Sequence, residues 1–307
     1  MQLSIPEFDT ISSLAAQNNI WRRFRRHPGA VFGALLLTLL IAAILLAPLS
    51  PYNPEASSPA EAYQAPSLAH PMGTDALGRD QLTRLLYGGR VSMTVGLMVV
   101  IITVCIGVTV GALAGYFGGA LDNILMRITD AALTLPTYLV LILLASILRE
   151  LSTSFFKENN LLTIALVIGL LSWMTSARLT RALFLTLRDQ TYVQAARSLG
   201  ASNRRIILTH ILPNSLGPLI VEATLELGYA IIEESGLSFL GFGIQPPTPS
   251  WGNLLSNAQA HFTDHPWLAI FPGLLIFITI ISVNYIGDGL RDAYDPHKVL
   301  EQVGEVF

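Results

Sequence analysis

The sequence predicts an all-α polytopic membrane protein with six transmembrane helices. Three observations carry this. Apolar residues make up 52% of the 307-residue chain and charged residues only 13%, against roughly 25% charged in a soluble domain. Six runs are apolar and long enough to cross a bilayer, which takes about 20 residues of helix. The arginines and lysines between these runs are distributed one-sidedly. Mean hydropathy is +0.54.

A segment over 1–28 precedes the first span, 29–49. That run and its leader are too long for a secretory signal, and no small-x-small cleavage site follows, so a retained anchor is expected. A loop covers 50–90. A five-helix core then fills 91–288, with spans at 91–115, 124–148, 161–183, 214–240 and 268–288, and a tail runs over 289–307. In the second span Gly107, Gly111 and Gly115 recur every fourth residue. Small residues at that spacing let two helices approach closely in lipid. Cys105, in the same span, is the sole cysteine. It excludes an intrachain disulfide and reads as a small packing residue.

Charge orients the spans. Arg22, Arg23, Arg25, Arg26, Arg127, Arg178, Arg181, Arg188, Arg197, Arg204, Arg205, Arg291 and Lys298 fall on one side. Arg79, Arg84, Arg90, Arg149 and Lys157 fall on the other. The positive-inside rule places both termini and the segment 188–213 in the cytoplasm, and 52–88 and 241–266 outside. The net charge of −3 says little about partners, and no basic tract points to nucleic acid.

The polar segment Tyr192 to Pro213, YVQAARSLGASNRRIILTHILP, interrupts this apolar pattern. Asp189 is placed to cap a first short helix that carries Ala195, Ala196 and Leu199 on one face. Gly200 suits the left-handed position that ends a helix. Ser202 is placed to cap a second short helix bearing Ile206, Ile207 and Ile211, and Pro213 is expected to break it. The product is a compact knob with a small-residue face. The segment resembles the coupling loop of ABC-importer permeases, Glu-Ala-Ala-x-x-x-Gly followed by Ile-x-Leu-Pro. Gln194, Ala195, Ala196, Gly200, Leu212 and Pro213 occupy the pattern, with Gln194 in place of Glu and His210 in place of Ile. Tyr192 and Ala201 belong to the same contact surface in this reading.

Further runs narrow the resemblance. His70-Pro-Met-Gly-Thr-Asp-Ala-Leu-Gly-Arg-Asp80 looks like the GTDxLGRD signature of the dipeptide/oligopeptide/nickel permease family. Gly115-Tyr-Phe-Gly-Gly119 with Asp122, Met126 and Arg127, and Leu237-Ser-Phe-Leu-Gly241, continue it. So do Gln245-Pro-Pro-Thr-Pro249 with Trp251-Gly252, and Gly287-Asp-Gly-Leu-Arg-Asp292 with Asp295-Pro296. The combination is similar to the second of the family's two permease subunits. The resemblance implies a type I ABC importer permease (MetI-like) fold in the inner or plasma membrane of a prokaryote. It implies a homologous sister permease, two cytosolic ABC ATPases seated on the coupling loops, and an extracytoplasmic solute-binding protein. The external contact would involve Asp75, Arg79, Asp80, Gln245 and Trp251. The solute would be a dipeptide, an oligopeptide or, in some relatives, nickel. ATP and Mg would sit on the ATPases, with no cofactor on this chain.

The residues themselves place the ATPase elsewhere. A phosphate-binding loop needs Gly-Lys-Ser/Thr. The two lysines, Lys157 and Lys298, follow Phe156 and His297.

The fifth span carries Glu222, Glu226, Glu233 and Glu234. Intramembrane carboxylates face a bundle interior or water. Glu222 and Glu226 share a helix face. Either they line a translocation pathway favouring cationic solute groups, or they are structural and satisfied by neighbours. Glu233 and Glu234 lie nearer the external end. His261 and His265 have helical metal-ligand spacing but read as polar side chains turned to water, and no catalytic constellation appears. Arg79 and Asp80 pair with each other, pair with a partner, or sit in a solvated loop. An ion-coupled secondary transporter using the glutamates is the competing reading. It would predict repeated halves with broken helices, and residues 20–150 and 160–290 show no repeat. An intramembrane hydrolase would need paired catalytic residues that the spans lack.

Overall fold

The computed structural model describes residues 20–150 and 159–294. Residues 1–19, Lys157, Asp295, Pro296 and Lys298 lie outside the described residues. Five helices are long and apolar enough to span a membrane: α1 (Pro28–Leu45), α2 (Gln81–Phe117), α5 (Asn160–Arg188), α7 (Asn203–Phe239) and α9 (Trp267–Tyr294). The expected third span is a bent pair, α3 (Gly119–Leu133) and α4 (Thr137–Glu150), meeting at 91°. Counting that pair once gives the six spans read from the sequence. Two short helices, α6 (Thr191–Ser198) and α8 (Trp251–Ala258), lie between spans.

Close helix packing rests on the glycines. A Cβ at Gly107 would lie 2.5 Å from Ser176 Cβ, one at Gly111 2.6 Å from Thr180 Cβ, and one at Gly115 2.7 Å from Phe184 Cβ. All three therefore seat α2 against α5, as the four-residue spacing requires. Gly33 receives Tyr285 of α9, and Gly287 of α9 receives Leu225 of α7. Around this core, Leu35, Leu39, Leu97, Ile101, Leu143 and Phe277 stand exposed. A soluble surface would not carry such a belt. In a bilayer it faces acyl chains.

Four boundaries differ from the sequence reading. α2 starts at Gln81, so residues 81–90, expected in the loop, are helical. Asp80 caps that helix, its Oδ2 accepting from Thr83 N at 2.7 Å. The third span breaks at Leu135-Pro136, because proline lacks the N–H and disfavours helix at the residue before it. Pro213 does not break α7. Through Ile206–Ile211 the hydrogen bonds shift to a π register, Leu212 N donating to Ile207 O. Proline's missing N–H falls where the ordinary register resumes, so α7 runs on to Phe239. Finally, the N-cap position of α6 is Gln190, not Asp189, and its side chain makes no capping hydrogen bond.

Cys105 is exposed on the belt and is not a packing residue. Residues 70–80 are partly buried against the bundle and are not a solvated loop. His70, Thr74 and Asp80 are buried, and His70 Nδ1 lies 2.9 Å from Asp80 Oδ1. Arg79 pairs with Asp75 at 2.7 Å and not with Asp80. His261 bonds to the Tyr63 hydroxyl at 2.9 Å, and His265 stacks on the same ring.

Candidate functional site

One end of the bundle gathers the arginine-rich segments. The C-terminus of α2 meets that of α5 there, with Arg188 Nη1 donating to Gly115 O at 2.9 Å. Residues 20–26, helical and carrying four arginines, pack Phe24 against Ala30 of α1 and Ala293 of α9. Arg79, Arg84, Arg90 and Arg149 lie at the opposite end, Arg149 beside Gly241.

From the arginine-rich end projects the segment 188–213. Val193 and Ile206, both fully buried, root it in a cluster with Tyr116, Phe184 and Ile211. Tyr116 also donates its hydroxyl hydrogen to Asn203 Oδ1 at 2.8 Å. Gly200 closes α6 with φ +82, a conformation that costs a Cβ-bearing residue about 1–2 kcal/mol. Ala201 N donates to Ala196 O, sealing the turn, and the Ser202 hydroxyl caps the next turn from Arg205 N at 3.4 Å. Ala195, Gln194 and Tyr192 are exposed, while Ala196, Ala201, His210 and Leu212 are half-buried and Pro213 is exposed. Leu199 is 88% exposed. It is the apolar tip of an otherwise polar segment. The sequence reading put Leu199 on the helix face with Ala195 and Ala196. Its prominence comes from the turn at Gly200.

The glutamates of α7 divide into two kinds. Glu234 is fully buried. It accepts from Ser92 Oγ at 2.8 Å and from Ser238 Oγ at 2.7 Å, while Ser92 Oγ also accepts from Trp251 N. Glu234 therefore ties α2, α7 and α8 together. Glu222, Glu226 and Glu233 form a row toward α5. Ser176 donates to Glu222 at 3.3 Å and Ser172 to Glu233 at 3.2 Å. Glu226, 8% exposed, has no hydrogen bond or ion pair among the described residues. Ser172 and Ser176 were not singled out from sequence. Serines at that spacing facing a carboxylate row were the available signal.

At the opposite end Asp75, Arg79 and Gln81 line a cavity of about 320 Å³ with Asn257 and His261. Gln245 donates to the carbonyls of Gly241 and Gly243 and lies half-buried. Trp251 is fully buried with Nε1 donating to Leu85 O at 3.0 Å, and Asp80 is 4% exposed. In this conformation those two residues hold internal contacts.

A helical membrane bundle that offers a rooted, apolar-tipped knob and carries no phosphate-binding motif defines a class: the membrane subunit of a transporter energised by another protein. Residues 107–299 match the binding-protein-dependent transport system inner membrane component model, and the chain belongs to that family. Residues 18–66 match the N-terminal TM domain of oligopeptide transport permease C. The chain is 41% identical over 281 residues to a putative peptide permease protein of Brucella suis, covering 91% of this chain and 90% of that protein. It is 38% identical over 294 residues to the dipeptide transport system permease protein DppC of Alkalihalophilus pseudofirmus, covering 95% and 94%. It is 39% identical over 276 residues to the oligopeptide transport system permease protein OppC of Mycobacterium tuberculosis, covering 90% and 92%. The fold is the type I ABC importer permease fold, and the chain is a multi-pass inner-membrane transport subunit, not an enzyme. ATP is hydrolysed on a separate subunit.

Proposed function

We propose that this chain forms half of the translocation pore of an importer for dipeptides or oligopeptides, opposite a homologous sister permease. The observation that carries this is the knob: buried at Val193 and Ile206, turned at Gly200, and exposing Tyr192, Gln194, Ala195 and Leu199. Two cytosolic ATPases, holding ATP and Mg, supply the motion, one of them seated on this segment. Both termini lie in the cytoplasm with it, by the charge asymmetry. An extracytoplasmic solute-binding protein delivers the solute at the end bearing Asp75, Arg79 and Gln245. Motion of Asp80 and Trp251 into that contact would require residues 70–80 and α8 to move apart. Glu222, Glu226 and Glu233 line the pathway, and Glu234 holds its wall. The chain itself binds no cofactor or nucleic acid in this reading.

The competing assignment, an ion-coupled carrier, draws on Glu226, which has no partner among the described residues, yet leaves the knob without a task. Co-expression with a sister permease, an ATPase pair and a binding protein from one gene neighbourhood tests the proposal. Loaded binding protein should stimulate ATP hydrolysis by the purified assembly. Failure of this chain to co-purify with any ATPase would overturn it.

A further inference from the structure

The break in the third span builds a groove that the pathway reading leaves unassigned. Pro136, Thr137, Tyr138 and Leu139 at the start of α4 face Tyr229, Ile232 and Glu233 of α7 across a space of about 500 Å³. Tyr229 and Glu233 are one helical turn apart and share a face. Tyr229 is 63% and Tyr138 41% exposed. Tyr138 sits close to α7 because Gly236 has no side chain: a Cβ there would lie 2.9 Å from the Tyr138 hydroxyl oxygen. Among the described residues Glu233 is hydrogen-bonded through Oε2 alone, to Ser172. Farther along the same helix Glu226 is nine-tenths buried without a hydrogen bond or ion pair among the described residues, and it lies within electrostatic reach of Glu222 and Glu233.

We propose that this groove is a subsite for a primary ammonium group on the transported solute. Aromatic rings attract a cation over their faces, and a carboxylate beside them supplies the opposite charge. An ammonium has three donors, and Glu233 has an uncommitted oxygen to accept one. A neutral donor would gain the hydrogen bond to Glu233 without the charge attraction, and an anionic group would be repelled. The row continuing through Glu226 to Glu222 extends the same preference along α7. This assignment rests on the pore reading above and adds the chemical group that the pore recognises.

The test needs no knowledge of the solute. The full importer complex is purified with Cys105→Ala and Ile232→Cys in this chain. Modification of the new thiol is followed by mass spectrometry of this chain. The probes are 2-aminoethyl methanethiosulfonate, a primary ammonium, and its sulfonatoethyl analogue, an anion, each corrected for its rate with free cysteine. The ammonium reagent should react about ten-fold faster. Methylammonium chloride should slow it more than equimolar sodium chloride does. Glu233→Gln should bring the two rates together and remove the protection. Leu139→Cys, on the opposite wall, should report the same pattern if Ile232→Cys assembles poorly. No reaction with either reagent at both positions, equal rates, equal effects of the two salts, or a preference indifferent to Glu233→Gln would each overturn the subsite. Binding-protein-stimulated ATP hydrolysis is measured on the same samples. Its presence alongside any of those results leaves the importer reading standing, and its absence from the unsubstituted complex strikes that reading instead.

Discussion

The Arg181 guanidinium grips the Asp122 carboxylate at two points, Nε to Oδ1 at 2.5 Å and Nη2 to Oδ2 at 2.7 Å. Asp122 stands in the first turn of α3, where a negative charge also meets the positive end of the helix dipole. The fork ties the start of the broken span to α5, close to the root of the knob. Asp122→Asn should cost about 1–2 kcal/mol, the lower part of the charged hydrogen-bond range because the Arg181 side chain is partly exposed. Thermal unfolding of Asp122→Asn, Arg181→Gln and the double variant in detergent checks this. The double variant should cost clearly less than the sum of the singles. Additive losses would show the fork to be energetically idle.

Gly111 offers a sharper packing test. Its added Cβ would meet Thr180 Cβ and Arg181 N within 2.9 Å. Gly111→Val should separate α2 from α5 at a cost of about 1–3 kcal/mol. Gly273→Ala, where nothing lies within 4 Å, should be neutral or slightly stabilising, since alanine favours helix by about 0.5–1 kcal/mol. Equal melting temperatures for the two variants would contradict the packing described.

Topology follows from the two ends of the bundle. Ser202 lies on the knob and Asn257 in α8, and both are exposed. In a Cys105→Ala background, an impermeant thiol reagent added to intact cells should label Asn257→Cys and spare Ser202→Cys until the membrane is permeabilised. The reverse pattern would invert the molecule.

Coupling is expected to fail without loss of fold when the knob's face is charged. Leu199→Asp and Ala196→Asp leave the buried root at Val193 and Ile206 untouched. Both should insert and assemble with the sister permease yet lose ATPase docking and at least ten-fold in uptake, as loss of a buried anchor of about 2 kcal/mol or more implies. Gly200→Ala should show an intermediate loss, because φ +82 strains a Cβ without filling any contact. Normal uptake by a well-expressed Ala196→Asp chain would refute the docking face.

Hydropathy made the spans legible, because lipid forces every backbone polar group into helix. The sites that resisted reading are those where local chemistry overrides composition. Pro136 was visible between Thr134 and Thr137, but the apolar residues on both sides masked the break. Arg84 and Arg90 lowered hydropathy over 81–90, although Asp80 followed by Thr83 was a cap signal. Pro213 looked like a helix stop, since a π turn that absorbs a missing N–H leaves no composition signature. The signature run before α2 was recognisable as a motif, while its burial depends on α8 and α9, far away in sequence. Ser202, Gly200 and the three glycines of α2 took the roles their chemistry predicted. The division of the glutamates was hidden, because Glu234 finds its partner Ser92 a whole bundle away along the chain.

What most directly separates an ATP-driven permease from an ion-coupled carrier is solute uptake into proteoliposomes holding the complete complex. The binding protein and its solute are added outside, and ATP is trapped inside. Uptake should require both ATP and the binding protein, persist when proton and sodium gradients are collapsed, and vanish with Ala196→Asp in this chain. Uptake that proceeds without ATP and stops when the gradients are removed would contradict this, and would make Glu222, Glu226 and Glu233 the relay of a carrier.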